Sequence, residues 1–341
     1  MAQRVTSVPA RAAGILENNR SDELPELRER QQRKLELAAR AAWLYYMASN
    51  TQDQIARKLN VSRQAAQRLV AVAVTEGLIK FRLDHPIAPC VELAEALQAR
   101  FKLDYVEVVP GDADADGLVG LAGAAARQVE ARLAAKSPIV LAFSTGRTLR
   151  ATVGQVAPME RPQHTVVSLV GTMTRDGRAS PYDVVMRLAD RTGATCYPLP
   201  TPVVTDTPEQ CALLQNQRPY RMIRALAAQA KVAFLGVGTL DARAPLLVDG
   251  FITEDEFHEL RRAGAVGEIA GSAFDAEGRL IESALRARTT AIPIELPLKR
   301  LTLGIAGGGS KAPAIAAALR GRLLSALITD ETAARAVLDA P

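Results

Sequence analysis

The stretch TQDQIARKLNVSRQAAQRLVAVAVTEG, residues 51–77, decides the fold of the first quarter of the chain. Thr51 is suited to cap a helix, and a short helix is predicted to follow it from Gln52 to Leu59. Asn60 tolerates the left-handed backbone conformation that a sharp turn requires, and the apolar Val61 can fill the angle between two helices. Ser62 then caps a further helix. This order of residues predicts two short helices that cross at a steep angle.

The second of these helices has two faces of different chemistry. Apolar residues at helical spacing are predicted to face inward, namely Ala66, Leu69, Val70 and Ala73. The outward residues are Arg63, Gln64, Gln67, Arg68 and Ala71. Arginine and glutamine form bidentate hydrogen bonds to guanine and adenine, so this face favours reading of the DNA major groove. A three-helix packing module with incidental basic residues is the alternative.

Residues around this helix complete the predicted DNA-binding surface. Gly77 ends the helix, and residues 78–83 alternate apolar and basic residues in the manner of a short wing strand beside the phosphates. Basic residues outside the helix are expected to contact mainly the DNA backbone. The residues assigned to DNA contact are Gln52, Arg57, Lys58, Ser62, Arg63, Gln64, Gln67, Arg68 and Lys80.

An earlier helix, residues 35–47, is predicted from apolar residues at helical spacing. Its core-facing stripe consists of Leu35, Ala38, Ala42 and Tyr45, widened by Trp43 and Leu44. Residues 23–37 are compatible either with a helix that extends a dimer contact or with a disordered arm. The predicted domains are an N-terminal arm, residues 1–34, a winged-type helix-turn-helix domain, residues 35–88, and an effector and oligomerisation domain, residues 89–341.

The positive charge of the chain is concentrated in its first quarter. Of the 341 residues, 48% are hydrophobic and 23% are charged, and the formal net charge is +5. Residues 1–90 contain 14 Lys or Arg and 9 Asp or Glu, whereas residues 91–341 contain 28 of each. This distribution is typical of a small polyanion-binding head on a neutral body. A solvated mixed-charge helix over residues 26–36 is the alternative source of the charge pattern.

Composition excludes several classes of protein. No apolar run reaches the roughly 18 residues that a transmembrane helix needs, so a membrane protein is excluded. Three scattered cysteines, Cys90, Cys196 and Cys211, argue against a disulfide framework and indicate the reducing cytoplasm. The three histidines are equally scattered, and no pair has the spacing of zinc ligands. Neither a metal nor a cofactor is expected.

The remainder of the chain alternates short apolar runs with amphipathic segments. Such alternation predicts a mostly parallel, doubly wound α/β sheet, in which ligands bind beyond the carboxyl ends of the strands. The predicted strands are residues 105–109, 139–143, 166–170, 195–199, 232–236, 301–305 and 324–328. The predicted helices are residues 93–101, 148–156, 182–192, 220–229, 254–262 and 313–319.

Two strand-to-helix loops of this sheet carry groups suited to a phosphate. In residues 144–148, backbone N–H groups at a helix start favour an anion, and Arg147 and the hydroxyls add donors. In residues 306–311, Lys311 lies at a helix start, but Ala312 occupies the place of the magnesium-binding hydroxyl of nucleotide hydrolases. Nucleotide hydrolysis is therefore disfavoured. An ordinary capped glycine turn and a merely solvated lysine are the alternatives.

Two further segments complete the candidate effector site. Gly236 and Gly238 allow a ligand to approach closely but lack the third glycine of a dinucleotide fingerprint. Glu268 and Asp275 offer carboxylates to sugar hydroxyls, although each is also an ordinary turn residue. The residues assigned to the effector are Thr145, Gly146, Arg147, Thr148, Gly171, Gly236, Gly238, Glu268, Asp275 and Lys311. No catalytic residue is assigned.

Residues 45–86, YYMASNTQDQIARKLNVSRQAAQRLVAVAVTEGLIKFRLDHP, resemble the DNA-binding head of the SorC/DeoR-type sugar-responsive transcriptional regulators. The resemblance extends over residues 35–338 in segments such as FSTGRTLRATV, VAFLGVGTLD and GAVGEIAGSAFDAEGR. It implies a body related in fold to glucosamine-6-phosphate deaminase and ribose-5-phosphate isomerase, which binds a sugar or polyol, commonly phosphorylated. By position it implies phosphate contacts from Gly146, Arg147, Thr148 and Lys311, and sugar contacts from Gly238 and Asp275.

The chain departs from this resemblance at four positions of the predicted sites. Gln64 stands where proline is frequent in the family, and Gln67 where a smaller polar residue is common. Thr145 stands where tryptophan is frequent, and Glu268 where aspartate is frequent. The operator sequence and the size and stereochemistry of the ligand therefore do not follow from the resemblance.

These patterns predict a cytoplasmic, non-enzymatic transcriptional regulator of carbohydrate or polyol metabolism. Its predicted partners are double-stranded operator DNA and a small sugar, polyol or sugar-phosphate effector that controls operator affinity. A homodimer or homotetramer is expected. The alternative is a sugar-phosphate isomerase or deaminase with an accessory DNA-binding head. Its candidate carboxylates are Asp241, Glu268 and Asp275. None has a histidine at helical or strand spacing, and only Asp275 has a second carboxylate there, Glu277.

Overall fold

A computed structural model describes the backbone of residues 18–79, 87–111, 118–241 and 244–340, and their side chains from residue 30 onward. The chain divides into two compact units, Met1–Leu83 and Asp84–Pro341, which we name the head and the body. Of the predicted wing strand, only Leu78 and Ile79 belong to the described residues, and they form a bend. Lys80 and residues 81–83 lie outside them.

The head is helical, and its two central helices are capped as predicted. The elements are α1 (Asn18–Ala42), a π-helical turn (Trp43–Met47), α2 (Gln52–Leu59) and α3 (Arg63–Thr75). The backbone N–H of Gln54 donates to the Thr51 hydroxyl at 3.3 Å, and the Thr51 N–H donates to the Gln54 side chain at 2.8 Å. Asn60 adopts φ 53° and ψ 49°, in the left-handed region, and the Ser62 hydroxyl accepts from the Ala65 N–H at 3.1 Å.

Small side chains bring the three helices of the head together. The buried residues are Ala38, Ala41, Ala42, Ile55, Ala56, Ala66, Val70 and Ala73. The predicted core-facing stripe is wrong at Tyr45, which is 38% exposed, and its widening is wrong at Trp43, which is 58% exposed. Leu44 is partly buried against the core of the head, as predicted. The α-helix ends before Trp43, where a π-helical turn begins. Its side chains do not follow the 3.6-residue period of an α-helix, so that period does not predict which of them face the core. Helix α1 also begins before residue 35, so residues 23–37 are helical, while a dimer contact through them stays a prediction.

The body is built around a seven-stranded parallel sheet, as predicted. Its strands are β1 (Tyr105–Val109), β2 (Val140–Phe143), β3 (Thr165–Met173), β4 (Thr195–Pro202), β5 (Val232–Gly236), β9 (Leu301–Ile305) and β10 (Ala326–Asp330), in the order β1-β10-β9-β5-β2-β3-β4. A small antiparallel sheet contains β6 (Gly238–Thr239), β7 (Gly267–Ile269) and β8 (Ser272–Phe274).

Helices cover both faces of the parallel sheet. They are α4 (Ala88–Phe101), α5 (Leu118–Leu133), α6 (Arg147–Gln155), α7 (Val185–Thr192), α8 (Pro208–Gln215), α9 (Arg218–Ala228), α10 (Pro245–Val248), α11 (Glu254–Arg262), α12 (Ala284–Arg288), α13 (Ala312–Arg320) and α14 (Glu331–Asp339). Alternate strand residues enter two separate cores: Ala142 belongs to one, whereas Leu141 and Phe143 belong to the other. Phe143 stacks on Phe234 of the neighbouring strand, with 4.8 Å between ring centroids.

Sequence periodicity predicts every strand of the parallel sheet but only some of the helices. Strands 105–109, 232–236 and 301–305 and helix 254–262 have the predicted bounds. Helices α5, α8, α10, α12 and α14 and the small antiparallel sheet are absent from the prediction. Helix α5 consists largely of alanine, glycine and other apolar residues and buries much of its surface, so it offers little contrast between two faces.

Candidate functional site

The outer face of α3 gathers the predicted base-reading side chains. Arg63, Gln64, Gln67 and Arg68 are all exposed, while Ala66 on the opposite side of the helix is buried. The first turn is fixed by the Ser62 cap, and the Arg68 Nε donates to the Gln64 carbonyl at 3.3 Å. The face is therefore a set of extended donors and acceptors on a rigid support, as major-groove reading requires.

Helix α2 adds basic groups beside this face. Arg57 and Lys58 are exposed in its last turn, and the Lys58 Nζ donates to the Asn50 Oδ1 at 2.7 Å. Gln52 is partly buried at the first position of the helix. Apart from Lys80, which lies outside the described residues, the structure brings the predicted DNA contacts together on the α2–α3 unit.

A cavity of about 430 Å³ opens beyond the carboxyl ends of β2, β5 and β9. The strand order reverses between β2 and β5, because β3 and β4 extend the sheet on one side and β9 and β10 on the other. Doubly wound sheets bind ligands at such a point. The lining includes Leu118, Leu121, Thr145, Gly146, Arg147, Thr148, Leu149, Gly236, Val237, Gly238, Pro245, Glu268, Gly307, Gly308, Ser310 and Lys311.

The start of α6 forms one wall of this cavity. Gly146, at φ 133°, precedes the helix and provides no side-chain acceptor for the N–H groups of its first turn. The Thr145 hydroxyl donates to the Tyr182 carbonyl at 3.0 Å, and the Ser144 hydroxyl accepts from the Gly236 N–H at 3.2 Å. The two hydroxyls thus hold the loop in place, while the helix start and Arg147 line the cavity.

The glycine loop after β9 forms a second wall. The Gly308 N–H donates to Asp330 Oδ2 at 2.6 Å, and the other oxygen of Asp330 accepts from the Ala333 N–H at 2.8 Å at the start of α14. A Cβ on Gly307 would lie 2.1 Å from Asp330 Oδ2, so the loop can pack on this carboxylate only with glycine there. The buried Asp330 therefore fixes the loop that leads to Lys311.

Charged groups of both signs meet in the cavity. Burial, with the positive charge of Arg147, lowers the pKa of Lys311 below the usual lysine value. Burial raises the pKa of Glu268 above its usual value, although the Gly271 N–H and the charge of Lys311 oppose that shift. Two cations that repel each other across an enclosed space provide an electrostatic environment suited to an anion.

Glu268 is held against the strand that carries Gly238. The two residues pair across β6 and β7, and a Cβ on Gly238 would lie 2.4 Å from Glu268 Oε1. Glu268 Oε2 accepts from the Gly271 N–H at 3.1 Å. Glycine at position 238 therefore allows a carboxylate to line the cavity beside the two cations.

Solved structures share the fold of this chain. The full-length sorbitol operon regulator SorC from Klebsiella pneumoniae aligns with a TM-score of 0.66 at 24% identity, over 89% of this chain and 99% of that chain. A domain of a possible sugar-binding transcriptional regulator from Arthrobacter aurescens TC1 aligns with a TM-score of 0.67 at 25% identity, over 76% and 100%. The predicted fold class, a helix-turn-helix head followed by a parallel α/β body, is confirmed.

Sequence comparisons assign the family. The Sugar-bind model, described as "Putative sugar-binding domain", matches residues 85–339. The erythritol catabolism regulatory protein EryD of Brucella abortus (strain 2308) is 36% identical over 307 residues, 89% of this chain and 97% of that protein. The chain belongs to the SorC/DeoR-type family of sugar-binding transcriptional regulators. The deoxyribonucleoside regulator of Bacillus subtilis (strain 168), 30% identical over 90% of this chain and 98% of its own length, is another relative.

Two of the residues assigned to the effector lie away from the cavity lining of this SorC/DeoR-type regulator. Gly171 lies in β3, where a Cβ would be 2.4 Å from the Thr201 carbonyl oxygen of β4, so the close approach of two strands accounts for the glycine. Asp275 follows β8, and its Oδ1 accepts from the N–H groups of Glu277 and Arg279. The structure thus gives Asp275 a turn-forming role, in agreement with the alternative prediction of an ordinary turn residue.

Sequence reasoning missed some residues that build the regulator's cavity. Asp330 is absent from the predicted effector residues, although an aspartate after an apolar strand and before Glu-Thr-Ala-Ala is a helix-capping signal. Leu118 and Leu121 come from the helix that periodicity did not predict. In the described part of the chain, no helix is long and apolar enough to cross a membrane. Nor do the described residues include a group of three or more His, Cys, Asp or Glu side chains that could hold a metal ion.

Proposed function

We propose that this regulator binds operator DNA through the outer face of α3 and changes its operator affinity when a phosphorylated sugar or polyol binds in the body. The observation that carries the proposal is the convergence of two loops predicted to bind phosphate, 144–148 and 306–311, on one cavity at the reversal point of the sheet. We further propose that the chain acts in the cytoplasm as a homo-oligomer and catalyses no reaction. The names of its relatives as regulators support a non-enzymatic role.

The cavity offers different groups to the two ends of such a ligand. The α6 N-terminus, Arg147 and Lys311 supply N–H donors and positive charge suited to a phosphate monoester. Glu268 supplies an acceptor for hydroxyl groups. A volume of about 430 Å³ lies at the small end of ordinary ligand sites, which favours a small ligand over a dinucleotide.

The names of the relatives support a sugar or polyol ligand. EryD is named for erythritol catabolism, and SorC for the sorbitol operon. Another relative is named as a deoxyribonucleoside regulator. A test panel should therefore include linear polyols of four to six carbons and their monophosphates, together with deoxyribose 5-phosphate.

The DNA-binding half of the proposal favours an oligomer on geometric grounds. A single recognition helix such as α3 covers only a few base pairs, so specific binding generally needs two half-sites related by symmetry. Sedimentation of the full chain with its selected operator is expected to show at least two protomers per duplex. One protomer per operator would refute the oligomeric part of the proposal.

Calorimetry on the full chain tests the ligand assignment. Lys311→Met should weaken the phosphorylated ligand by about 1.5–3 kcal/mol, the value of a charge-assisted hydrogen bond, and leave the unphosphorylated analogue nearly unaffected. Lys231→Met is a matched control, because Lys231 is an exposed lysine just before β5, at the opposite end of the sheet. Equal weakening of both ligand forms would give Lys311 a structural role, and binding of free polyols alone would refute the phosphate site.

A further inference from the structure

An ion pair joins the two helices of the head at the predicted reading face. The Nε of Arg63, the first residue of α3, lies 3.6 Å from Oδ1 of Asp53, in the first turn of α2. Both side chains are exposed, at 69% and 62% of their surface. A pair this exposed contributes little to folding stability, so stability does not account for it.

Both partners are anchored on rigid backbone. The first turn of α2 is held by the capping box of Thr51 and Gln54, and the first turn of α3 by the Ser62 cap. The turn between them is fixed by the left-handed conformation of Asn60. The separation of the Asp53 and Arg63 backbones is therefore set by three local structures and does not depend on the flexibility of a loop.

The geometry leaves the useful end of Arg63 available to DNA. A guanidinium has five N–H donors, and a bidentate contact with guanine N7 and O6 uses two of them. With the Nε turned toward Asp53, the two terminal nitrogens remain for a base. Arg68 repeats this arrangement, because its Nε donates to the Gln64 carbonyl at 3.3 Å. In both arginines the contact within the head uses Nε, and the two terminal nitrogens, Nη1 and Nη2, are not part of it.

A carboxylate on this surface also has an unfavourable effect. Residues 51–82 contain six Lys or Arg and only two acidic residues, Asp53 and Glu76. A negative charge near phosphates weakens binding to every DNA sequence, so a carboxylate at position 53 is expected to lower overall affinity. A residue with both effects increases the difference between right and wrong sequences.

We propose that Asp53 is a positioning residue that determines specificity, by holding the Arg63 guanidinium for one guanine in each half-site. This inference rests on the proposed DNA-binding function of the head. It predicts that removal of Asp53 raises affinity for nonspecific duplex and lowers discrimination at one base pair. If Asp53 had a merely structural role, its removal would instead lower affinity for all sequences.

The experiment uses the full chain and a randomised duplex library. Sites are selected with the wild type, and affinities are measured for the selected duplex, for each single-base variant and for a scrambled duplex. Asp53→Ala should reduce discrimination at one guanine by about five- to tenfold, within the value of a bidentate contact, and tighten binding to the scrambled duplex. Asp53→Glu should restore part of the discrimination.

Glu76→Ala is the matched control, because it removes an equal charge from an exposed position at the far end of α3. It should tighten binding to all duplexes and leave discrimination unchanged. In an Arg63→Ala background the same guanine preference should already be absent, and adding Asp53→Ala should reduce discrimination no further. Thermal unfolding of each variant verifies that the head is folded.

Three results would overturn the inference. They are unchanged discrimination in Asp53→Ala, a loss of discrimination in Glu76→Ala of the same size, and a further loss when Asp53→Ala is added to Arg63→Ala. Failure of the underlying function gives a different result, since a wild type that selects no sequence from the library would refute DNA reading itself.

Discussion

The outer face of α3 in the head and the cavity of the body are assembled over different distances along the chain. In the described part of the head, the side-chain hydrogen bonds that shape the α2–α3 unit join residues no more than eight positions apart, as Lys58 and Asn50 do. In the body, Gly236 and Ser144 are bonded across 92 positions, and Gly308 and Asp330 across 22. The head is thus specified locally, whereas the cavity exists only after the sheet has formed.

The contrast predicts that a single change can disable the cavity without affecting the head. In Asp330→Ala, the Gly308 N–H loses its acceptor and α14 loses its cap. Since an unsatisfied buried donor costs about 1–3 kcal/mol and a lost cap about 1, we expect a loss of about 2–4 kcal/mol in the free energy of unfolding of the body. The displaced loop should also weaken phosphate-ligand binding by about 1.5–3 kcal/mol.

Denaturant unfolding and calorimetry measure these two effects. Asp330→Asn keeps one acceptor oxygen and should lie between wild type and Asp330→Ala if the alanine variant is too unstable to purify. Asp339→Asn, at an exposed position of the same helix, should be neutral. Unchanged ligand affinity in a folded Asp330 variant would contradict the assigned role, and lost DNA binding without ligand would contradict the independence of the head.

The same contrast explains which structural features the sequence predicts. The caps at Thr51 and Ser62 and the left-handed turn at Asn60 are short-range features, and residue type alone indicates them. The strands of the sheet are equally accessible, because a fully buried parallel strand appears as an unbroken apolar run. Helix α5 and the π-helical turn at Trp43 were missed or misjudged, since the first shows little amphipathic contrast and the second departs from the helical period.

Candidate site residues were predictable where loop chemistry is local. The sequences around Gly146 and Lys311 suggest anion sites from their position after strands, and both line the cavity. Gly171 and Asp275 show the limit of such reasoning, because close strand packing and a tight turn select the same residue types as a ligand does. Asp330 acts by accepting a hydrogen bond from Gly308 in the loop after β9. A single sequence does not show that these two residues, 22 positions apart, are paired.

A smaller effect on the free energy of unfolding is expected from Glu268, which lines the cavity. Burial raises the pKa of Glu268, so the ionised carboxylate is less favourable in the folded protein than in the unfolded chain. Glu268→Gln, which resembles the protonated acid, is expected to raise the free energy of unfolding by about 0.5–2 kcal/mol while weakening polyol binding. Thermal unfolding and calorimetry measure the two changes.

The pH dependence of this gain follows from the direction of the shift. Because the folded-state pKa exceeds the unfolded one, the destabilisation by Glu268 is complete above the raised pKa, declines as the pH falls through it, and is absent below the unfolded-state pKa. The advantage of Glu268→Gln should therefore shrink on acidification. Glu259→Gln, at an exposed position of α11, serves as the control and should give no such gain. An equal gain in both variants, or one that grows on acidification, would contradict the account.

The central claim is that a ligand in the cavity sets the affinity of the head for DNA. The most direct measurement is the affinity of the full chain for its selected operator, with and without a saturating phosphorylated polyol, in wild type and Lys311→Met. The ligand should change wild-type operator affinity by about 1–3 kcal/mol, the usual range of coupling between two sites. The same ligand concentration should have little effect on Lys311→Met, whose ligand-free affinity should match the wild type. Ligand binding with unchanged operator affinity, or a ligand effect of full size in Lys311→Met, would contradict the claim.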